Sequence, residues 1–243
     1  MIEVCCGSYE DGVNAYLGGA RRIELNSALY LGGCTPSIAS LTMLKKNYPD
    51  LEVVCMVRPR GAGFHYNDIE IECMKEDAKA LLEAKADGIV FGFLNEDFSI
   101  DQQTTKYFVD LAHSYHKTAI FHRAFDVLQD VNQGIEILIN LGIDRILTSG
   151  TYGKAMEGKE VIRHLQECYG NQIEILPGSG INASNAKEMM AYTKVNQVHS
   201  SCKVLKQDVT THNNQVTYDY GNGDYFEAVS IELVKRLCES VNE

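Results

Sequence analysis

Short apolar runs alternate with amphipathic stretches along the whole chain. The runs "IEVCC", "RIEL", "EVVCMVR", "GIVFGF", "TAIFHRAF", "DRILTS", "IEILPG" and "QVHSS" have the length and β-branched content of buried strands. Between them lie helical patterns such as "SYEDGVNAYLGGA", "CMKEDAKALLEAKA" and "DVNQGIEILINLG". Several of these end in Gly-Ala, Gly-Ile or Ala-Asp just before the next strand, where a helix C-cap belongs. In "CTPSIASLTMLKK" the pattern predicts Thr35 as an N-cap with Pro36 in the first helical position. Eight alternations predict a single α/β domain over residues 1–243, a closed parallel (β/α)8 TIM barrel ending in the helix "YFEAVSIELVKRLCESV". An open doubly wound sheet is the alternative, but no G-x-G-x-x-G follows the first strand. Residues 203–224, "KVLKQDVTTHNNQVTYDYGNGD", read as a long polar loop with a Gly-Asn-Gly turn before that last helix.

The chain's 243 residues suit one such barrel, and 45% hydrophobic content supplies a sizeable core. A formal charge of −11 argues against a nucleic-acid or anionic-membrane partner, since both need a basic footprint. The opening "MIEVCC" has no basic stretch followed by a long apolar run, so export and membrane insertion are not expected. The eight cysteines show no C-x-x-C pair, and the expectation is a cytoplasmic protein with reduced thiols.

Strand alternation then sorts the side chains. A charge turned toward the apolar helix layer would be costly, so charged positions mark the inward set. That places Glu3, Cys5 and Gly7 inside on the first strand, with Cys6 packed outward. It also places Glu24 and Asn26 inside on the second, and Met56, Arg58 and Arg60 on the third. His122 and Asp126 point inward on the fifth strand with Arg123 at the rim, and His199 and Ser201 on the eighth. Such an interior is polar for a barrel, and buried ion pairs alone contribute little net stability. The glycine-rich strand ends "ILTSG", "LPGSGI" and "VHSS" make Ser149, Gly150, Gly178, Ser179, Gly180, Ser200 and Ser201 candidates for holding an anion, which barrels often bind after strands seven and eight.

Several segments, in order, resemble the copper homeostasis protein CutC family. They are "EVCCGS", "GGARRIELNSALYLGGCTPS", "VRPRGAGFHY", "FHRAFD", "RILTSG", "GSGI" and "HSS", spanning residues 2–202. The resemblance implies a TIM barrel, a homo-oligomer, and Cu(I) bound at two cysteines. Of these, one matches Cys5, while the position of the second is occupied here by Asn26. Cu(I) prefers soft ligands, so Cys5 requires another soft donor, with Met56, Cys34 and His199 as candidates. Beside this stands an enzymatic reading: a small anionic, phosphorylated metabolite clamped by Arg58 and Arg60, with Glu3 or Glu24 as general base, His122 shuttling protons and Asp126 orienting His122 or the substrate. No lysine sits at a strand end for Schiff-base chemistry.

Overall fold

The computed structural model describes residues 1–218 and 223–242. Eight parallel strands, β1 (Ile2–Cys6), β2 (Arg22–Leu25), β3 (Glu52–Met56), β4 (Gly88–Phe91), β5 (Thr118–Phe121), β6 (Arg145–Thr148), β7 (Glu174–Pro177) and β8 (Val198–Ser200), form one sheet. Its order runs β7-β6-β5-β4-β3-β2-β1-β8, so β1 pairs with both β2 and β8. Curling brings β7 beside β8, and the result is a nearly closed (β/α)8 TIM barrel. The helices α1 (Tyr9–Leu17), α2 (Ile38–Asn47), α3 (Asp68–Glu83), α4 (Gln102–Ser114), α5 (Val131–Leu141), α6 (Lys159–Tyr169), α7 (Ala186–Thr193) and α8 (Ile231–Asn242) surround it. Among the described residues no helix is long and apolar enough to cross a membrane.

Alternation along the strands separates two cores. Val4, Cys6, Ile23, Leu25, Val53, Cys55, Ile89, Phe91 and Ile146 face the helices and join the large outer cluster. Val54, Met56, Val90 and Ile120 form a small separate cluster inside the barrel. Helix starts follow local chemistry: the Ser8 hydroxyl accepts from Asp11 N at 3.1 Å, and Asn67 with Glu70 closes a reciprocal capping box on α3.

Three local expectations change. Thr35 does not cap α2, which begins at Ile38 after Ser37. Its hydroxyl instead bonds both backbone groups of Arg58 beyond the end of β3, where the Arg58 carbonyl also accepts from Thr35 N at 2.9 Å. The segment read as a loop opens as a strand, β9 (Lys203–Gln207), and its antiparallel partner β10 (Tyr225–Val229) takes the first residues of the expected last helix, so that α8 begins only at Ile231. Alternation in "KVLKQ" is short, and only a distant partner makes it a strand. Gly221 and Asn222 of the expected Gly-Asn-Gly turn lie outside the described residues. Finally, β5 stops at Phe121, and Arg123–Val127 is a 3-10 turn, so strand alternation no longer governs Asp126.

Candidate metal centre at the barrel axis

At the lower end of the interior, five side chains from four strands and the loop leading into β8 close a ring. Arg22 Nε lies 2.8 Å from Glu3 Oε2, and Arg22 donates to Gln197 Oε1 at 2.5 Å. Gln197 donates to Glu174 at 3.1 Å, Arg145 Nε donates to Glu174 at 2.6 Å, and Arg145 Nη1 returns to Glu3 at 3.7 Å. Arg22 and Arg145 were not singled out in the sequence, although alternation from Glu24 and along "RILT" places both inward.

Glu3 is the hinge between this ring and the site above it. Its second oxygen takes a bond from His199 Nδ1 at 2.8 Å. Burial pushes the Glu3 carboxyl up, but the His199 bond and the Arg22 and Arg145 charges more than offset it and hold Glu3 at about 2. An anion so stabilised is a poor general base; that expected role for Glu3 is not supported by its surroundings. His199 shows the reciprocal effect. Burial opposes its cationic form, yet the Glu3 bond and the Glu24 and Glu3 charges raise its pKa.

Above Glu3, the Cys5 sulfur, a Glu24 oxygen and a His199 ring nitrogen all lie within 4.8 Å of one another. With Nδ1 directed at Glu3, Nε2 is the nitrogen left for a ligand, the arrangement by which a carboxylate orients a metal-binding imidazole. The Cys5 thiol donates to Glu24 Oε2 at 3.6 Å, and burial followed by the Glu24 charge keeps it protonated well above the ordinary thiol range. Burial also raises Glu24, the Glu3 charge adds to this, and the His199 charge, Asn26 and Cys5 oppose it. Asn26 presents its NH₂ to this group, donating to Glu24 Oε2 at 2.9 Å and to the Cys5 sulfur at 3.6 Å. It therefore supports two donors and offers the sulfur no lone pair.

Of the expected partners for Cys5, His199 converges with it, and the two sulfur donors lie elsewhere. Cys34 is outside the cluster, and its backbone bridges to Ser27. Met56 points inward but packs with Val54, Val90 and Ile120. Cys6 is fully buried in the outer core.

The arginine clamp does not assemble. Arg58 donates to the carbonyls of Leu31 at 2.9 Å, Gly33 at 2.9 Å and Ala62 at 2.6 Å. Arg60 turns outward to pair with Glu70 of α3. Asp126 does not orient His122 either, because the 3-10 turn carries it to the end of β6. There it accepts from Thr148 Oγ1 at 2.5 Å, from Ser149 N at 3.0 Å and Ser149 Oγ at 2.9 Å, and from Arg123 Nε at 2.7 Å. The anion cradle read from Ser149 and Gly150 thus holds the chain's own carboxylate, with Gly150 N bonded to Thr148 Oγ1. Nearby groups are also engaged internally: Gly178 N donates to Thr148 O, and Ser179 Oγ to Gly153 O. Ser200 Oγ donates to Ile181 O, Gly180 packs against Lys154, and Ser201 is half-buried. Asp126→Ala should lower the unfolding free energy by about 3 kcal/mol, read from urea denaturation, because buried donors at β6 lose their acceptor. A change below about 0.5 kcal/mol would show that the carboxylate is not holding this turn.

A cavity of about 630 Å³ lies beside the start of α1, lined by Tyr9, Tyr30, Tyr225 and Phe226 among others. None of the three clustered donors lines it, so the chemistry rather than this hollow places the site.

Fold and site together define a (β/α)8 barrel with a half-buried thiol and a buried imidazole and carboxylate converging on its axis. The model of the CutC family matches residues 1–204, and the chain belongs to that family. A CutC family protein of Treponema denticola is 44% identical over 96% of this chain and 93% of its own length. The copper homeostasis protein cutC homologs of Caenorhabditis elegans and Homo sapiens are 36% and 40% identical, covering 97% and 84% of this chain and 93% and 73% of theirs. The crystal structure of a CutC protein from Streptococcus agalactiae superposes with a TM-score of 0.77 at 31% identity, over 83% of this chain and 98% of that one.

Proposed function

We propose that this protein handles copper in a reducing, cytoplasmic setting, taking Cu(I) at Cys5 with His199 as the second donor. The observation that carries this reading is the convergence of Cys5, His199 and Glu24, with His199 fixed from behind by Glu3. Thiolate and imidazole nitrogen are donors that Cu(I) accepts, whereas the Glu24 carboxylate is hard and suits it poorly. Glu24 has another use. It already accepts the Cys5 S–H, and its raised pKa makes it a competent proton acceptor when the thiol becomes a thiolate ligand. A single thiolate holds Cu(I) less tightly than two would, which suits a protein that passes the ion on rather than storing it. The names of the curated relatives, copper homeostasis protein, point the same way.

The test is an anaerobic Cu(I) titration against a competing chelator on reduced protein. One equivalent should bind, and Cys5→Ala should abolish this while Cys6→Ala leaves it unchanged. Equal binding by wild type and Cys5→Ala would sink the assignment.

A further inference from the structure

We propose that the barrel also binds a small carboxylate, gripped between the Nε–H of Arg58 and the Nε2–H of His122. Eight arginines are described, and seven have a carboxylate within 4.0 Å; Arg58 alone has none, although it is only 4% exposed. Its NH₂ groups are fixed by three backbone carbonyls, which supply partial charge but no counter-ion, and its Nε is buried without a formed hydrogen bond, as is the neutral Tyr66 hydroxyl beside the guanidinium. A buried cation lacking an anion is costly, and an unpaired buried N–H adds to that cost. A bound anion removes both penalties.

His122 supplies the second donor. Ala124 N donates to its Nδ1 at 3.1 Å, so the neutral ring carries its proton on Nε2, which is buried and has no partner. Burial, with the Arg58 charge adding to it, holds the imidazole at about 3, so it stays neutral and donates only from Nε2. Phe64 links the two groups, its ring centre lying 5.4 Å from the Arg58 guanidinium carbon and 4.8 Å from the His122 ring centre. Gly92 leaves room for the imidazole, since a Cβ there would come within 2.5 Å of it.

One charged and one neutral donor match the two oxygens and single charge of a carboxylate. A phosphate dianion needs more donors and more positive charge than this pair provides. This inference rests on a different set of residues from the copper reading.

The experiment is side-chain ¹⁵N NMR of the reduced, metal-free protein, titrated with acetate and separately with inorganic phosphate. The Arg58 Nε and His122 Nε2 resonances should move together and saturate with acetate, and phosphate should bind more weakly. His122→Phe keeps an aromatic ring against Phe64 and should weaken acetate binding about tenfold, the loss of one hydrogen bond. Arg58→Lys, which keeps the charge but moves the donor, should weaken it further and serves if His122→Phe does not fold. Cys5→Ala should leave acetate binding unchanged, which separates failure here from failure of the copper site. Absence of a saturating shift, a preference for phosphate, or acetate binding that neither variant weakens would overturn the carboxylate site.

Discussion

Arg22→Met should destabilise the protein by about 3–5 kcal/mol, the cost of leaving one partner of a buried ion pair alone. Arg22 and Glu3 have side chains only 4% and 2% exposed and sit 2.8 Å apart. With Arg22 gone, Glu3 retains Arg145 at 3.7 Å and His199 at 2.8 Å, too little to replace a contact charge in a dry interior. Replacing both partners by apolar residues, Arg22→Met with Glu3→Leu, should cost less than Arg22→Met alone, because no uncompensated carboxylate remains. Urea denaturation of the three proteins checks the order, and a double variant less stable than the single one would contradict it.

Glu3 and His199 together set a pH dependence. Glu3 titrates near 2 in the folded chain against an ordinary 4.5, so its stabilisation is full above 4.5 and is lost as pH falls toward 2. His199 runs the other way. Its folded pKa is raised from 6.5, so its contribution is full below 6.5 and is lost as pH rises through the folded value. Unfolding free energy should therefore fall toward both ends, and Glu3→Gln should flatten the acid limb in particular. An acid limb as steep in Glu3→Gln as in the wild type would assign it to other carboxylates.

Asn26→Cys should tighten Cu(I) binding by about a hundredfold, equivalent to about 2.7 kcal/mol. The Asn26 amide nitrogen is 3.6 Å from the Cys5 sulfur, so a thiol at position 26 is within reach of an ion held there. Two thiolates suit Cu(I) better than a thiolate and an imidazole. The substitution also removes the 2.9 Å bond that Asn26 gives Glu24, which should raise the Glu24 pKa further, and the 3.6 Å bond that it gives the Cys5 sulfur. Competition with a chelator of known affinity reads the change. Unchanged affinity in Asn26→Cys would mean that copper is not held beside Cys5.

Much of the barrel was legible because two periodicities are legible. Strand alternation fixes which face each residue takes, and the cost of burying charge against apolar helices put Glu3, Cys5, Glu24 and His199 on the inner face. Their convergence was not legible. It depends on β1 pairing with β8 across the whole chain, which sets Glu3 opposite His199. Arg145 reaches Glu3 only because the barrel curls, a contact no local pattern encodes. The arginine pair shows where alternation lapses: β3 ends at Met56, Arg58 turns into the loop carbonyls and Arg60 swings to Glu70. Asp126 failed for a related reason, since a turn after β5 delivered it to β6, more than twenty residues along the chain.

Copper-edge X-ray absorption on Cu(I)-loaded, reduced protein tests the proposed centre most directly. One sulfur and one imidazole nitrogen are expected around the ion, with the imidazole pattern lost in His199→Ala and the sulfur lost in Cys5→Ala. Two sulfurs in the wild type, or a spectrum indifferent to both substitutions, would place copper away from the Cys5–His199 pair.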